Sequence, residues 1–152
     1  MPETVRQLDL LLVEDNDADT HLTVTALRDA LVPTRIHLAK DGEDAIAFLK
    51  HTGPHAEAPA PDLVLLDLNL SGIDGFQVLT EMKSDPNLKK IPVIVISGSD
   101  RTEDRLRAYE LQAAGYLAKP TEFDKYFTAI RSLKNHWFHT LSVPHKEPSS
   151  SS

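Results

Sequence analysis

Acidic residues stand directly after two of the apolar runs in this chain, where a buried strand would end. Glu14 and Asp15 follow LDLLLV, and Asp67 closes DLVLLD. Two further runs lead to a hydroxyl and an ammonium, because Ser97 closes IPVIVIS and Lys119 follows GYLA. If these runs are neighbouring parallel strands, their carboxyl ends meet at one edge of a sheet, which is where such sheets bind ligands.

Three carboxylates held together at that edge would raise one another's pKa values unless a cation compensated their charge. Mg²⁺ fits this requirement, since it prefers oxygen ligands and retains several waters, so that two or three side chains suffice. Asp67 beside such a cation and Lys119 would be a nucleophile placed to take a phosphoryl group. The Ser97 hydroxyl could then donate a hydrogen bond to a phosphoryl oxygen.

The runs that carry these residues are typical of parallel strands. Four of them are continuously apolar, as expected for strands that helices cover on both faces. They span residues 8–13, 62–67, 91–97 and 115–118. A fifth run, TRIHLA at 34–39, alternates after Arg35 and is expected at a sheet edge.

Helical patterns separate the strands. Asn16 or Asp17 is predicted to cap the first helix, and Asp41 and Asp74 are predicted to cap the second and third. The first helix should place Ala18, Leu22, Ala26 and Ala30 on one face. The second and third are predicted over 42–51 and 74–83, and the polar fourth over 100–112. This alternation of strand and helix favours a parallel sheet between two helical layers.

Composition limits the class of protein. The chain of 152 residues suggests one domain, and 16 basic against 23 acidic residues give a net charge of −7, which disfavours nucleic-acid binding. The absence of cysteine excludes disulfides and thiol chemistry. No basic leader precedes a cleavable apolar segment, and no apolar run is long enough to span a membrane, so we expect a cytoplasmic protein without membrane association.

The segments that carry this chemistry resemble the receiver domain of two-component response regulators. LLLVEDN, DLVLLDLNL, VIVIS and GYLAKP stand in the family's order, and the resemblance covers roughly residues 8–138. It implies an α/β fold of the flavodoxin-like (βα)5 type, a three-layer sandwich around a parallel five-stranded sheet of order 2-1-3-4-5. Residues 1–7 would be a leader, and residues 139–152 a flexible tail with no output domain.

The resemblance also assigns roles at the strand ends. Asp67 would be the phosphoacceptor, with Glu14 and Asp15 as the acidic pair. Mg²⁺ would be bound by Asp15, Asp67 and the backbone carbonyl of Asn69, beside Glu14. Ser71 stands where the family usually has proline, so the loop after the acceptor should be less stiff.

Further positions match the family's switch. Ser97 and Tyr116 correspond to the switch hydroxyl and the switch aromatic, although Ser97 replaces the commoner threonine. Gly98 follows and, without a side chain, leaves the site open. Lys119 corresponds to the family lysine, and Lys119–Pro120 to the family's cis peptide bond.

A finer likeness concerns partners. SDPNLKKIPVIVISGS, LQAAGYLAKP and HWF are similar to single-domain receivers that partner phytochrome histidine kinases. This implies a sensor histidine kinase as phosphodonor, with a bacteriophytochrome as the candidate. A thin apolar stripe on the fourth helix (Leu106, Tyr109 and Ala113) and the aromatic pair Trp137-Phe138 predict a homodimer through the fourth helix, fifth strand and fifth helix. The signal would be a changed surface or an onward relay.

Two other functions are open at this point. Haloacid-dehalogenase-like phosphatases also use a strand-end aspartate nucleophile, with a second aspartate two residues later as general acid. Asn69 stands at that position here and cannot transfer a proton at neutral pH. A receiver-like scaffold that is never phosphorylated usually lacks an acidic residue or the lysine, and this chain keeps all of them.

Overall fold

The computed structural model describes residues 8–28, 34–98, 101–119, 122 and 124–132. Their strands form one parallel sheet of five in the order β2-β1-β3-β4-β5. The strands are β1 (Leu8–Val13), β2 (Thr34–Ala39), β3 (Leu63–Asp67), β4 (Val93–Ser97) and β5 (Gly115–Ala118). The helices are α1 (Asp17–Arg28), α2 (Gly42–Lys50), α3 (Gly75–Ser84), α4 (Thr102–Glu110) and α5, of which 124–132 are described. The predicted flavodoxin-like topology is therefore confirmed.

The strands follow the apolar pattern closely. β1, β3 and β4 are buried throughout, and β2 forms one edge of the sheet, as expected. The burial of β2 does not alternate with its sequence, because Ile36 and His37 are both partly buried and Leu38 is 47% exposed. β4 begins at Val93, two residues later than predicted. Pro92 precedes it and has no N–H to contribute to a ladder, although its carbonyl accepts a hydrogen bond from Val64 N–H at 3.0 Å.

The apolar core lies in two layers, one on each face of the sheet. Alternate residues of each strand face opposite layers, because side chains in a strand have a period of two. Leu11, Val64 and Val95 pack on the layer beneath α2, α3 and α4. Leu10, Leu65 and Ile94 pack on the layer beneath α1 and α5.

Capping residues begin three of the helices as predicted. The Asn16 Oδ1 accepts the N–H of Asp19 at 2.9 Å, and the Asp41 side chain accepts the N–H of Asp44 at 2.7 Å. Asp74 forms a reciprocal capping box with Gln77 at the start of α3. These caps fix the helix starts that follow β1, β2 and the acceptor loop.

The predicted face of α1 was partly wrong. Thr23, Ala26 and Leu27 are its buried residues, and Ala18 is exposed. The first turn of α1 lies near the edge of the sheet, so Ala18 has no apolar layer to pack on. Ala30, also predicted on that face, lies outside the described residues.

The predicted loop over 52–61 also differs, because it contains a short 3₁₀ helix at Gly53–His55. The His55 Nε2 lies 2.7 Å from the Asp44 Oδ1, and its ring packs at 5.3 Å from the Phe48 ring. The loop is thus held against α2, which the proline-rich composition alone did not indicate.

The helix α4 contacts the rest of the fold through one buried apolar residue and two arginines. Ala108 is its buried residue. The Arg105 guanidinium lies 4.7 Å from the centre of the Tyr116 ring, and that of Arg107 lies 4.1 Å from the centre of the Phe76 ring. Cation–π contacts therefore connect α4 to β5 and α3.

Candidate functional site

The ends of β1, β3 and β5 bring three predicted site residues into contact. The Lys119 Nζ donates hydrogen bonds to the Glu14 Oε1 at 3.0 Å and to the Asp67 Oδ2 at 3.2 Å. Counting in twos from Leu12, Leu65 and Leu117 places all three residues on the α1–α5 face of the sheet. A residue of α1, Asp19, completes the cluster, since its Oδ2 accepts a third bond from Lys119 at 2.8 Å.

Burial and mutual contact shift the pKa values of the groups in this cluster. The side chains of Glu14 and Asp67 are only 2% and 5% exposed. Burial and the neighbouring Asp67 carboxyl together raise the pKa of Glu14 to about 8, although Lys119 acts in the opposite direction. Burial alone would lower the pKa of Lys119, but the bond to Asp19 and the charges of Asp67 and Glu14 outweigh it and raise that pKa. The lysine therefore stays protonated, and Glu14 is the carboxyl group of the cluster that tends to keep its proton.

Asp15 lies beside this cluster and is exposed. One oxygen each from Glu14, Asp15 and Asp67 lies within 4.8 Å of the others. Such a set of hard oxygen ligands suits a divalent cation that keeps part of its water shell. The raised pKa of Glu14 has the same origin, since it reflects buried carboxyl groups whose charges Lys119 does not fully compensate.

The loop after β3 orients both carboxylates. The Asn69 N–H donates to the Asp67 Oδ1 at 2.9 Å. Ser71 donates twice to the Asp15 Oδ2, from its N–H at 2.9 Å and from its hydroxyl at 3.0 Å. A proline here could not make either bond. The loop is thus tied to Asp15, whereas the sequence had predicted only a less stiff segment.

Glycine is required where this loop enters α3. A Cβ atom on Gly75 would lie 2.6 Å from the backbone oxygen of Asp67. This distance would be a steric clash, and the backbone atom could not move away as the end of a flexible side chain could. Gly75 therefore lets the first turn of α3 pack directly behind the acceptor strand.

The predicted switch residues lie at the ends of β4 and β5. Ser97 is fully buried, and its carbonyl accepts the N–H of Lys119 at 2.7 Å. Tyr116 is partly buried and packs on the core layer shared with α4, under the Arg105 guanidinium. A Cβ on Gly98 would meet nothing within 4 Å, as expected for an open position. The predicted cis bond involves Pro120, which lies outside the described residues.

Sequence reasoning missed two contributors to the site. Asp19 follows Asp15 by one helical turn, so the helix predicted after the acidic pair could have indicated it. The double bond from Ser71 to Asp15 had no such signal, because it depends on the path of the loop.

Comparison with known proteins identifies the family of this chain. The family model of the response regulator receiver domain matches residues 10–131, and the chain belongs to that family. The curated response regulator Rcp1 of Synechocystis sp. is 37% identical over 135 residues, which cover 89% of this chain and 92% of Rcp1. The predicted resemblance to phytochrome-associated receivers is confirmed.

Solved structures give the same result. The phosphorylated cyanobacterial phytochrome response regulator RcpA is 40% identical and superimposes with a TM-score of 0.87, covering 91% of this chain and 99% of RcpA. The Mn²⁺-bound form of Rcp1 is 36% identical with a TM-score of 0.85, covering 90% and 99% of the two chains. Receiver domains bind divalent metal and act as phosphoacceptors for histidine kinases, and the phosphatase alternative is not favoured. Among the described residues, no helix is long and apolar enough to cross a membrane.

Proposed function

We propose that Asp67 accepts a phosphoryl group from a sensor histidine kinase, with Mg²⁺ as the cofactor. The observation that carries this proposal is the buried Asp67 carboxylate, bonded to Lys119 and within 4.8 Å of oxygens from Glu14 and Asp15. Glu14 shares the strand end, the bond to Lys119 and the two acidic neighbours, but Asp67 is the carboxylate that stands at the family's phosphoacceptor position. This arrangement supports nucleophilic attack, because the charges that a phosphoryl group needs are already in place.

In the proposed reaction, an Asp67 oxygen attacks phosphorus and the bond from phosphorus to the donor's histidine nitrogen breaks. The products are an acyl phosphate and a histidine that regains a proton. Lys119 donates to a phosphoryl oxygen and balances its charge. Glu14, Asp15, Asp67 and the Asn69 carbonyl would hold Mg²⁺, which when bound neutralises the negative charge that collects between donor and acceptor.

Ser97 and Tyr116 are proposed to transmit the change. A phosphoryl group adds about −1.5 to −2 charges and three strong acceptors. The Ser97 hydroxyl would turn towards one acceptor, and Tyr116 would move into the space that it leaves. Gly98 leaves this region accessible to a donor or partner.

We propose that the chain is a phosphoacceptor and not a phosphatase. Asn69, whose N–H donates to the Asp67 Oδ1 at 2.9 Å, has no side-chain acid to protonate a leaving group and no base to activate the water that would hydrolyse the aspartyl phosphate. Any dephosphorylation should be slow. Phosphate release from p-nitrophenyl phosphate, measured with and without Mg²⁺, should be negligible.

The proposed partners follow from the relatives and the surface. The similar protein RcpA is a cyanobacterial phytochrome response regulator, which makes a phytochrome-type histidine kinase the candidate donor. We place the protein in the cytoplasm, where such donors act. The net charge of −7 favours no nucleic-acid partner, and no membrane role is proposed.

A homodimer through α4, β5 and α5 is also proposed. Leu106 and Tyr109 are 57% and 47% exposed on α4, as a partner-facing stripe would be. Trp137 and Phe138, the other part of the predicted surface, lie outside the described residues. Light scattering at about ten micromolar and above should give a dimeric mass, and Leu106→Glu should give a monomeric one.

Phosphorylation by acetyl phosphate and Mg²⁺ tests the central proposal. Intact mass should increase by one phosphoryl group in the wild type and remain unchanged in Asp67→Asn. Asp62→Asn is the matched control, since Asp62 precedes the same strand but lies outside the site. Labelling of Asp67→Asn at the wild-type rate would contradict the assignment.

A further inference from the structure

The ammonium of Lys119 has three hydrogens to donate, and each already has an acceptor. The acceptors are the Asp19 Oδ2 at 2.8 Å, the Glu14 Oε1 at 3.0 Å and the Asp67 Oδ2 at 3.2 Å. A phosphoryl oxygen on Asp67 therefore cannot take a hydrogen bond from Lys119 until one of these acceptors is released.

The acceptors differ in the cost of release. The side chains of Glu14 and Asp67 are almost fully buried, so the Glu14 Oε1 or the Asp67 Oδ2 would lose its bond where little water can replace it, although a backbone N–H still donates to the other oxygen of each. Asp19 is 33% exposed and can return to water. Asp19 is therefore the acceptor that Lys119 can give up most easily, although it has the shortest of the three bonds.

Residues that precede Asp19 in the chain hold its backbone in place. Its N–H donates to the Asn16 Oδ1 at 2.9 Å, and the Asn16 N–H donates to the Glu14 Oε2 at 3.3 Å. The first turn of α1 is thus coupled to the acidic pair. Only the side chain of Asp19 needs to move when Lys119 changes partner.

We propose that Asp19 is a positioning residue that holds Lys119 in the unphosphorylated site and competes with the phosphoryl group for it. This inference rests on the proposed function of Asp67. In this proposal Asp19 of α1 opposes activation, a role that neither Asp67 nor the switch residues have. Removing the carboxylate should favour the phosphorylated state.

The test uses beryllofluoride with Mg²⁺ as a stable phosphoryl mimic on the full chain. Asp19→Asn should bind it about threefold more tightly than the wild type, which is the size expected for a partly exposed charged pair. Asp19→Ala, which removes the acceptor completely, should bind at least as tightly. Asp17→Asn is the matched control, because it removes the same charge from the same turn of α1 and Lys119 does not bond to it.

A second readout separates positioning from a general effect on α1. Nitrogen-15 NMR of lysine ammonium groups, with Lys119 assigned through Lys119→Arg, should show its signal shifted in metal-free Asp19→Asn but not in Asp17→Asn. With mimic bound, the wild type and Asp19→Asn should give the same signal, since Asp19 has then been released.

Each outcome decides the inference. Equal mimic affinity in wild type, Asp19→Asn and Asp17→Asn would overturn it while leaving the acceptor role of Asp67 intact, and so would weaker binding by Asp19→Asn. Equal gains in Asp19→Asn and Asp17→Asn would show only a general charge effect and would also overturn it. Failure of the wild type to bind the mimic, or to gain a phosphoryl group from acetyl phosphate, would instead contradict the proposed function.

Discussion

The stability of the metal-free protein should fall as pH rises, because of Glu14. Burial beside Asp67 raises its pKa from the ordinary 4.5 to about 8 in the folded state. Between those pH values the folded protein binds a proton that the unfolded chain releases. The unfolded state therefore gains relative stability with increasing pH, and the effect is complete only above about pH 8.

The magnitude follows from the same pKa values. Each pKa unit corresponds to about 1.4 kcal/mol, so a pKa raised from 4.5 to about 8 sets an upper limit of roughly 5 kcal/mol. The side chain of Glu14 is only 2% exposed, so solvent screening removes little of this. Rearrangement of Lys119 and entry of water make the effect smaller than this limit. We expect the free energy of unfolding to fall by about 2–3 kcal/mol between about pH 5.5 and about pH 8.

Urea unfolding in the presence of EDTA measures this loss. Glu14→Gln should remove it, since glutamine is neutral throughout, and should be more stable than the wild type at about pH 8. The difference between the two proteins cancels the titrating groups that do not interact with Glu14. Glu57→Gln, an exposed glutamate of the loop before β3, is the control and should follow the wild type.

Saturating Mg²⁺ should reduce the loss of stability with rising pH. The cation compensates the ionised carboxylates, so its stabilisation of the wild type should grow with pH over the same range. If the free energy of unfolding in EDTA changed equally with pH in the wild type and Glu14→Gln, the reasoning would be refuted. Glu14 would then lose its proton over the same pH range in the folded and unfolded states.

Three further results are expected. Ser71→Pro, which removes both donors to Asp15, should weaken Mg²⁺ binding in calorimetry by about three- to tenfold, with Ser71→Ala intermediate, and unchanged affinity would contradict the role of the loop. Ser97→Ala should leave phosphorylation by intact mass near the wild-type level and reduce the NMR shift of Tyr116 on addition of beryllofluoride, whereas a full shift would show that another residue transmits the change. Tyr126→Phe, which deletes a buried hydroxyl 2.6 Å from a hydroxyl of α1, should lower the free energy of unfolding by about 1 kcal/mol in urea, and an unchanged midpoint would contradict that estimate.

The strand-end chemistry was predictable because it depends on topology alone. A parallel sheet brings the residues after each apolar run to one edge, so Glu14, Asp67 and Lys119 had to meet once the runs were recognised as strands. The alternating run at 34–39 likewise indicated an edge strand, although the structure exposes Leu38, which the alternation had placed on the buried face.

Side-chain and loop details were not predictable in the same way. The exposure of Ala18 depends on how far α1 extends past the sheet, which helical periodicity does not specify. The bond from Ser71 to Asp15 depends on the course of a loop that spans two strands. The 3₁₀ helix at Gly53–His55 depends on the contacts of His55 with α2, which are tertiary.

The contacts of Arg105 and Arg107 affect the free energy that phosphorylation must supply to move α4. A helix held by a wide apolar face resists displacement, since moving it would expose that face to water. Each cation–π contact contributes only about 0.5–2 kcal/mol, and an arginine that leaves a ring is readily hydrated. Two positions of α4 can therefore have similar free energies, and a modest difference in how the phosphorylated site interacts with each is enough to exchange their populations.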